Sequence, residues 1–151
     1  AAAVSGRDRF GPGSGFSEVL DDGDGGRDPR RVLLCSGKVY YDLLEHRERT
    51  GSSDVAIVRV EQFYPFPGKR LIQVLESYTG SPEILWVQEE PRNMGGWSFM
   101  RERLGDAAGS AVDLKYCGRR RSASPGTGSF RMHLAEQKKL IEEAFKERKP
   151  E

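Results

Sequence analysis

RVLLCSGKVYYDLLEHRERTGSSDVAIVRV, residues 31–60, holds two apolar runs separated by a stretch with a different period. RVLLC (31–35) is short and apolar almost throughout, the pattern of a strand covered on both faces. SGK turns the chain, and Val39, Tyr40, Leu43 and Leu44 then recur at helical spacing. Gly51 stands where a left-handed cap would stop that helix. VAIVRV (55–60) is a second strand. Strand, helix and strand in this order predict parallel pairing, because a tight turn cannot return the chain to a parallel neighbour.

The rhythm continues downstream. YPFPG interrupts, and KRLIQVLESY (69–78) puts Leu71, Val74, Leu75 and Tyr78 on one helical face before Gly80, Ser81 and Pro82 end it. EILWVQE (83–89) is a third strand. Asn93 to Arg103 reads as a third helix, opened by Asn93 and the Gly95-Gly96 pair. VDLKYCG (112–118) is a fourth strand, and its stronger alternation puts it nearer an edge. A loop and a long helix from Phe130 to Phe145 follow, with Leu134, Gln137, Leu140, Ile141, Ala144 and Phe145 on one side. Upstream, residues 1–30 are rich in Gly, Asp and Arg. They read as a flexible linker from a preceding domain, with one apolar patch from Phe16 to Leu20. The expectation is one domain over 31–151: a three-layer α/β fold, with a mostly parallel sheet of four to five strands and helices on both faces.

A chain of 151 residues, 36% hydrophobic, supports one core rather than two. Its net charge of +1 gives no global field for nucleic acid or a membrane surface. Cys35 and Cys117 form no CxxC pair and sit in or beside apolar runs, which predicts buried, reduced thiols. No apolar run approaches the roughly 20 residues that span a bilayer. The chain starts at AAAVSGRDRF without Met, and reads as a piece of something longer.

Three places could carry chemistry. CSGK (35–38) lies at a strand-to-helix turn, where Ser36 could cap the helix, Gly37 admit a ligand and Lys38 hold an anion. A plain capped turn with Lys38 in solvent is the simpler alternative, and no full P-loop is present. GRRRSASPGTGS (118–129) offers Arg119, Arg120, Arg121, Ser122 and Ser124 before a helix, the material of a phosphate or carboxylate cradle or of a solvated basic loop. Ser129 can cap that helix. By strand order the second turn could lie on the same carboxyl edge as the first, where such folds bind ligands, and convergence of the two would strengthen an anion site. His46 and His133 have no partner at metal spacing. The third place is WVQEEPRNMGGW (86–97), with Glu89 and Glu90 adjacent at a strand end. Successive strand residues point to opposite faces, so a shared-proton dyad is disfavoured and an anchoring or interface role is favoured.

Four blocks together resemble one family: RVLLCSGKVYYDL, VAIVRVEQFYPFP, WVQEEPRNMGGW and YCGRRRSASPGTGSFRMHLAEQKKLIEEAF. They are similar to the C-terminal end of the first, decarboxylating component of 2-oxoglutarate dehydrogenase complexes. The resemblance covers residues 31–146, and more weakly Phe16–Asp21. It implies a domain like the transketolase C-terminal domain, a wider group in which an acid pair and a Gly-containing helix start recur. Glu89, Glu90, Gly95 and Gly96 match that pattern, and with Asn93 they become a candidate structural joint. Gly96 and Gly126 stand where the family pattern suggests Ala, which would loosen a helix start.

The resemblance further implies a homodimeric whole enzyme, cytoplasmic in a bacterium or in the mitochondrial matrix of a eukaryote. It would use thiamine diphosphate and magnesium to decarboxylate 2-oxoglutarate in the tricarboxylic acid cycle. The succinyl group would pass to the lipoyl arm of the dihydrolipoyl succinyltransferase component. The cofactor ligands would lie in the preceding thiamine-binding domains, leaving this piece without catalytic or metal residues and inactive alone. Acetyl-CoA or an adenine nucleotide is a possible effector, and Ser36, Lys38, Arg119, Arg120, Ser122 and Ser124 are its candidate site. The alternatives are a free-standing anion- or nucleotide-binding α/β module, or a hydrolase or transferase using Glu89 or Glu90.

Overall fold

The computed structural model describes residues 15–22, 26 and 28–146. The opening AAAVSGRDRF, most of GPGSG (11–15), parts of the Asp/Gly-rich stretch after Asp22, and the last five residues lie outside the described residues.

Five strands form one sheet: β1 (Val19–Leu20), β2 (Arg31–Cys35), β3 (Val55–Val60), β4 (Glu83–Pro91) and β5 (Leu114–Arg119), in the order β1-β3-β2-β4-β5. β2 to β5 are parallel, and β1 runs antiparallel to β3, with Val19 opposite Val60. The helices are α1 (Val39–Thr50), α2 (Gly68–Glu76), α3 (Trp97–Ala108) and α4 (Phe130–Phe145).

Alternation explains why the strand runs are apolar throughout. Val32, Leu34, Ala56, Val58 and Trp86 pack on one face with Leu71, Val74 and Leu75 of α2 and Met100 and Leu104 of α3. Leu33, Cys35, Ile57, Leu85 and Val87 pack on the other with Val39 and Leu43 of α1 and Leu140, Ile141 and Ala144 of α4. Each fully buried Leu or Ile contributes roughly 1.5–3 kcal/mol against exposure. Both cysteines are free and buried, as their apolar setting predicts.

Several local expectations shift. The fifth strand comes from within the segment read as linker. Beyond it, the Asp22 carboxylate accepts the Ile57 N–H at 2.8 Å and pairs with the buried Arg47 guanidinium, so a side chain prolongs the ladder where the main chain leaves it. The third helix starts at Trp97 rather than Asn93, because Gly95 is left-handed, with φ 64°, and breaks any earlier start. Ser36 makes no cap: Lys38 holds the N-cap position of α1, without a side-chain bond. Ser129 does cap α4, its hydroxyl accepting the Met132 N–H, and Gly51 closes α1 at φ 67°. Leu134 is exposed rather than on the packed face of α4. The other end of α4 is held by arginines. Arg30 donates to the Phe145 carbonyl at 2.6 Å and Arg31 to the Ala144 carbonyl at 2.8 Å, satisfying groups that a helix end leaves open.

Candidate functional site

The chain leaves β2 toward β3 on one side and later returns to place β4 on the other. That reversal opens the crevice outside the carboxyl ends of β2 and β4, where the CSGK and QEEPRN turns meet. Lys38 spans it: Nζ lies 3.3 Å from Glu89 Oε1 and 3.4 Å from Asp42 Oδ2. Partial burial works against the Lys38 charge, but the hydrogen bond and charge of Glu89, with Asp42, outweigh it and hold its pKa above the ordinary value. Gln137 of α4 donates to the same Asp42 oxygen at 2.7 Å, linking the crevice to α4.

The acid pair is a bulge. In the ladder Gln88 faces Gly118, and the next pair is Pro91 with Arg119, so Glu89 and Glu90 are two extra residues on β4. Bulges re-aim side chains at sheet ends. Here they send Glu89 to Lys38, while the exposed Glu90 turns toward Gly95. The two carboxyls therefore sit in different surroundings.

Gln88 holds this turn, although nothing in the spacing of the sequence marks it. It is 3% exposed. Its oxygen accepts the Trp86 indole N–H and the Trp97 backbone N–H, each at 2.8 Å. Its amide donates to the carbonyls of Glu90 and Pro91 at 3.2 Å and of Met94 at 2.7 Å. The signal available was an amide directly after the apolar run LWV (85–87), ahead of the acid pair. Gly95 is required by its φ of 64°, and an added Cβ would also crowd the buried Gln88 amide, 3.0 Å from Nε2. Gly96 does not loosen the helix start. A side chain there would come within 2.8 Å of the Trp86 ring, so the space is already filled by Trp86 and Phe63. Gly126 lies in the loop before α4, three residues ahead of its N-cap Ser129.

Asn93 is a stitch rather than a helix opener. Its amide donates to the Ser122 carbonyl at 2.9 Å and its oxygen accepts the Ser122 N–H at 3.0 Å. The joint and the basic loop are thus one unit. Within that loop the Ser122 hydroxyl accepts the Ser124 N–H, and the Ser124 hydroxyl donates to the Gly126 carbonyl. Arg119 pairs with Glu136 at 2.7 Å and donates to the Pro125 carbonyl. Arg120 and Arg121 instead line a cleft of about 1040 Å³ on the far side of β5, with Arg92 and Arg101. The arginines and Lys38 therefore do not form one cradle. Tyr116, which donates to the Arg119 carbonyl at 2.7 Å, has its hydroxyl pKa pushed up to about 12 by burial and by neighbouring Cys117.

Among the described residues no group of three or more His, Cys, Asp or Glu could hold a metal ion, and no helix is long and apolar enough to cross a membrane.

The family model described as 2-oxoglutarate dehydrogenase C-terminal matches residues 4–145. The chain is 46% identical over 119 residues to the 2-oxoglutarate dehydrogenase E1 component of Haemophilus influenzae, covering 79% of this chain and 13% of that protein. It is 44% identical over 148 residues to the protein of the same name from Rickettsia felis, covering 95% and 15%. For Azotobacter vinelandii the identity is 44% over 136 residues, covering 86% and 14%. The chain thus spans about a seventh of the length of these relatives. A solved split-gene transketolase, an inactive β4 tetramer, superposes with a TM-score of 0.57 at 11% identity, over 86% of this chain and 43% of that one, which supports the fold alone. With the family model spanning nearly the whole sheet-and-helix domain, this chain belongs to the 2-oxoglutarate dehydrogenase C-terminal family.

Proposed function

We propose that the chain is the C-terminal assembly domain of the first component of a 2-oxoglutarate dehydrogenase complex. In this reading residues 1–30 join it to the thiamine-binding domains. The whole enzyme is a homodimer that decarboxylates 2-oxoglutarate with thiamine diphosphate and magnesium. It hands the succinyl group to the lipoyl arm of the succinyltransferase component, in the cytoplasm of a bacterium or the matrix of a mitochondrion. The cofactor chemistry belongs to the other domains, and this chain braces them.

The observation that carries the reading is where large apolar side chains are left in water. Tyr64 is 89% exposed, Phe130 74%, and Met132 and Leu134 51% each. Tyr64 follows β3, and the other three lie in the first turns of α4, after β5, so all four come where the chain has left the carboxyl end of a strand. Large apolar side chains left exposed at one end of a sheet support an interface there. Tyr64→Asp with Phe130→Asp in the whole enzyme tests it. Light scattering should show the dimer dissociating and decarboxylation falling with it. A dimeric, fully active variant would overturn the reading.

An anionic effector, acetyl-CoA or an adenine nucleotide, would act at the same edge, either at Ser36 and Lys38 or, apart from them, at Arg119, Arg120, Ser122 and Ser124. Lys38 is exposed and its ion pair with Glu89 is of the kind worth only ~0–1 kcal/mol, so an anion could displace Glu89 and pull on the joint. Titration calorimetry of the whole enzyme against an Arg119→Ala, Arg120→Ala variant tests this. Unchanged affinity for both ligands would remove the effector site from here.

A further inference from the structure

We propose that the open edge of β5 is a docking slot in which an extended, acidic segment of a partner protein adds a sixth strand. Among the described residues β5 pairs only with β4, so its other edge carries backbone groups that no described strand pairs. The two edges of the sheet differ. β1 is two residues long, the usual way of blunting an edge, whereas β5 has six residues and no proline. Tyr116, Cys117 and Gly118, three successive residues of β5, all line the cleft of about 1040 Å³. Side chains of successive strand residues point to opposite faces, so only the edge itself gives them a common wall. Ser98, Arg101, Glu102, Gly105 and Asp106 of α3 form one flank, and Glu143 of α4 the other.

The slot is polarised. At the carboxyl end of β5, Arg92, Arg101, Arg120 and Arg121 are all exposed, and among the described residues none of them makes an ion pair. Arg92 lies 5.7 Å from the Trp97 ring and 5.4 Å from the Tyr116 ring, held over an aromatic floor. Toward the amino end of β5 the lining turns acidic, with Asp106 near the end of α3 and Glu143 near the end of α4. A strand with carboxylates at one end and a basic residue at the other is complementary to this wall, while main-chain hydrogen bonds to β5 supply the rest. The basic end of the slot, Arg92, Arg120 and Arg121, adjoins the assembly surface, but its wall is the side edge of β5, so binding can be read on this chain whether or not that surface is covered.

Fluorescence anisotropy tests it on the 151-residue chain with labelled peptides of about eight residues, β-branched, acidic at one end and carrying one lysine at the other. The parent peptide should bind in the micromolar range. N-methylation of alternate amides, in the register facing β5, should weaken binding by about tenfold or more. The Arg101→Glu, Arg121→Glu variant should weaken the parent peptide by a similar factor without changing thermal unfolding, since both side chains are exposed. If the variant unfolds, the N-methyl series on the native chain decides alone. No binding by any peptide would overturn the proposal. So would equal binding of both N-methylated registers, or displacement of the parent by pyrophosphate combined with insensitivity to N-methylation, which would mark a simple anion site.

Discussion

Replacing Gln88 by leucine keeps the volume and deletes every polar contact that ties β4 to the start of α3. Two buried donors lose their acceptor: the Trp86 indole N–H and the Trp97 backbone N–H. Each orphaned buried donor costs about 1–3 kcal/mol, so the substitution should cost roughly 2–6 kcal/mol, centred near ~4. The three carbonyls it serves lose less, because an under-satisfied carbonyl is tolerated better than an orphaned N–H donor. A domain of this size has only ~5–15 kcal/mol to lose. In urea, with a slope of about 2 kcal/mol/M, the midpoint should fall by ~2 M. Ser124→Ala in the exposed loop is the control and should move it by no more than ~0.25 M, the equivalent of about 0.5 kcal/mol. Hydrogen exchange should then locate the damage in residues 89–97. A midpoint shift for Gln88→Leu as small as the control's would refute the view that this amide holds the joint.

Gly96→Ala should destabilise by ~1–3 kcal/mol in the same urea assay, because the added methyl meets the rings of Trp86 and Phe63; a gain in stability would show that helix propensity wins. Partial burial resists ionisation of Glu83, but hydrogen bonds and charge from Lys115 and Arg31 outweigh it and hold its pKa below the ordinary 4.5. Its contribution is therefore present above 4.5 and drains as the pH falls through the lowered value, so Glu83→Gln should lose less stability than the parent on acidification, and identical acid profiles would contradict the assignment. Burial pushes the thiol of Cys35 up to about 12, and that of Cys117 likewise, so native-state alkylation should be slow and track global unfolding; rapid labelling of either at neutral pH would show that it is open to solvent.

The strands β2 and β3 were legible residue for residue, because a doubly covered strand is apolar at nearly every position, here all but Arg31 and Arg59. The face of α2 was equally plain: Leu71, Val74, Leu75 and Tyr78 are all buried. What the sequence hid was set by tertiary structure. Two-residue β1 exists only because β3 offers an edge, and no periodicity can show over so short a run. The start of α3 depends on the left-handed Gly95 and on Gln88, which lies nine residues before Trp97 and has no pattern of its own. The cradle drawn from Lys38 and Arg119–Arg121 placed its residues on the correct edge of the sheet, yet packing directs Lys38 to Glu89, Arg119 to Glu136, and Arg120 and Arg121 around β5. Charge composition shows that arginines are present; only the ladder shows which way they turn.

The central claim is that the carboxyl edge of this domain is built to be covered by the rest of the enzyme and its second copy. Hydrogen exchange, compared between the 151-residue chain and the whole enzyme, tests it most directly. Amides in residues 61–67, 92–96 and 120–134 should slow markedly in the whole enzyme, while those at the amino ends of the strands stay as they are. Equal exchange of those three segments in both proteins would contradict the claim.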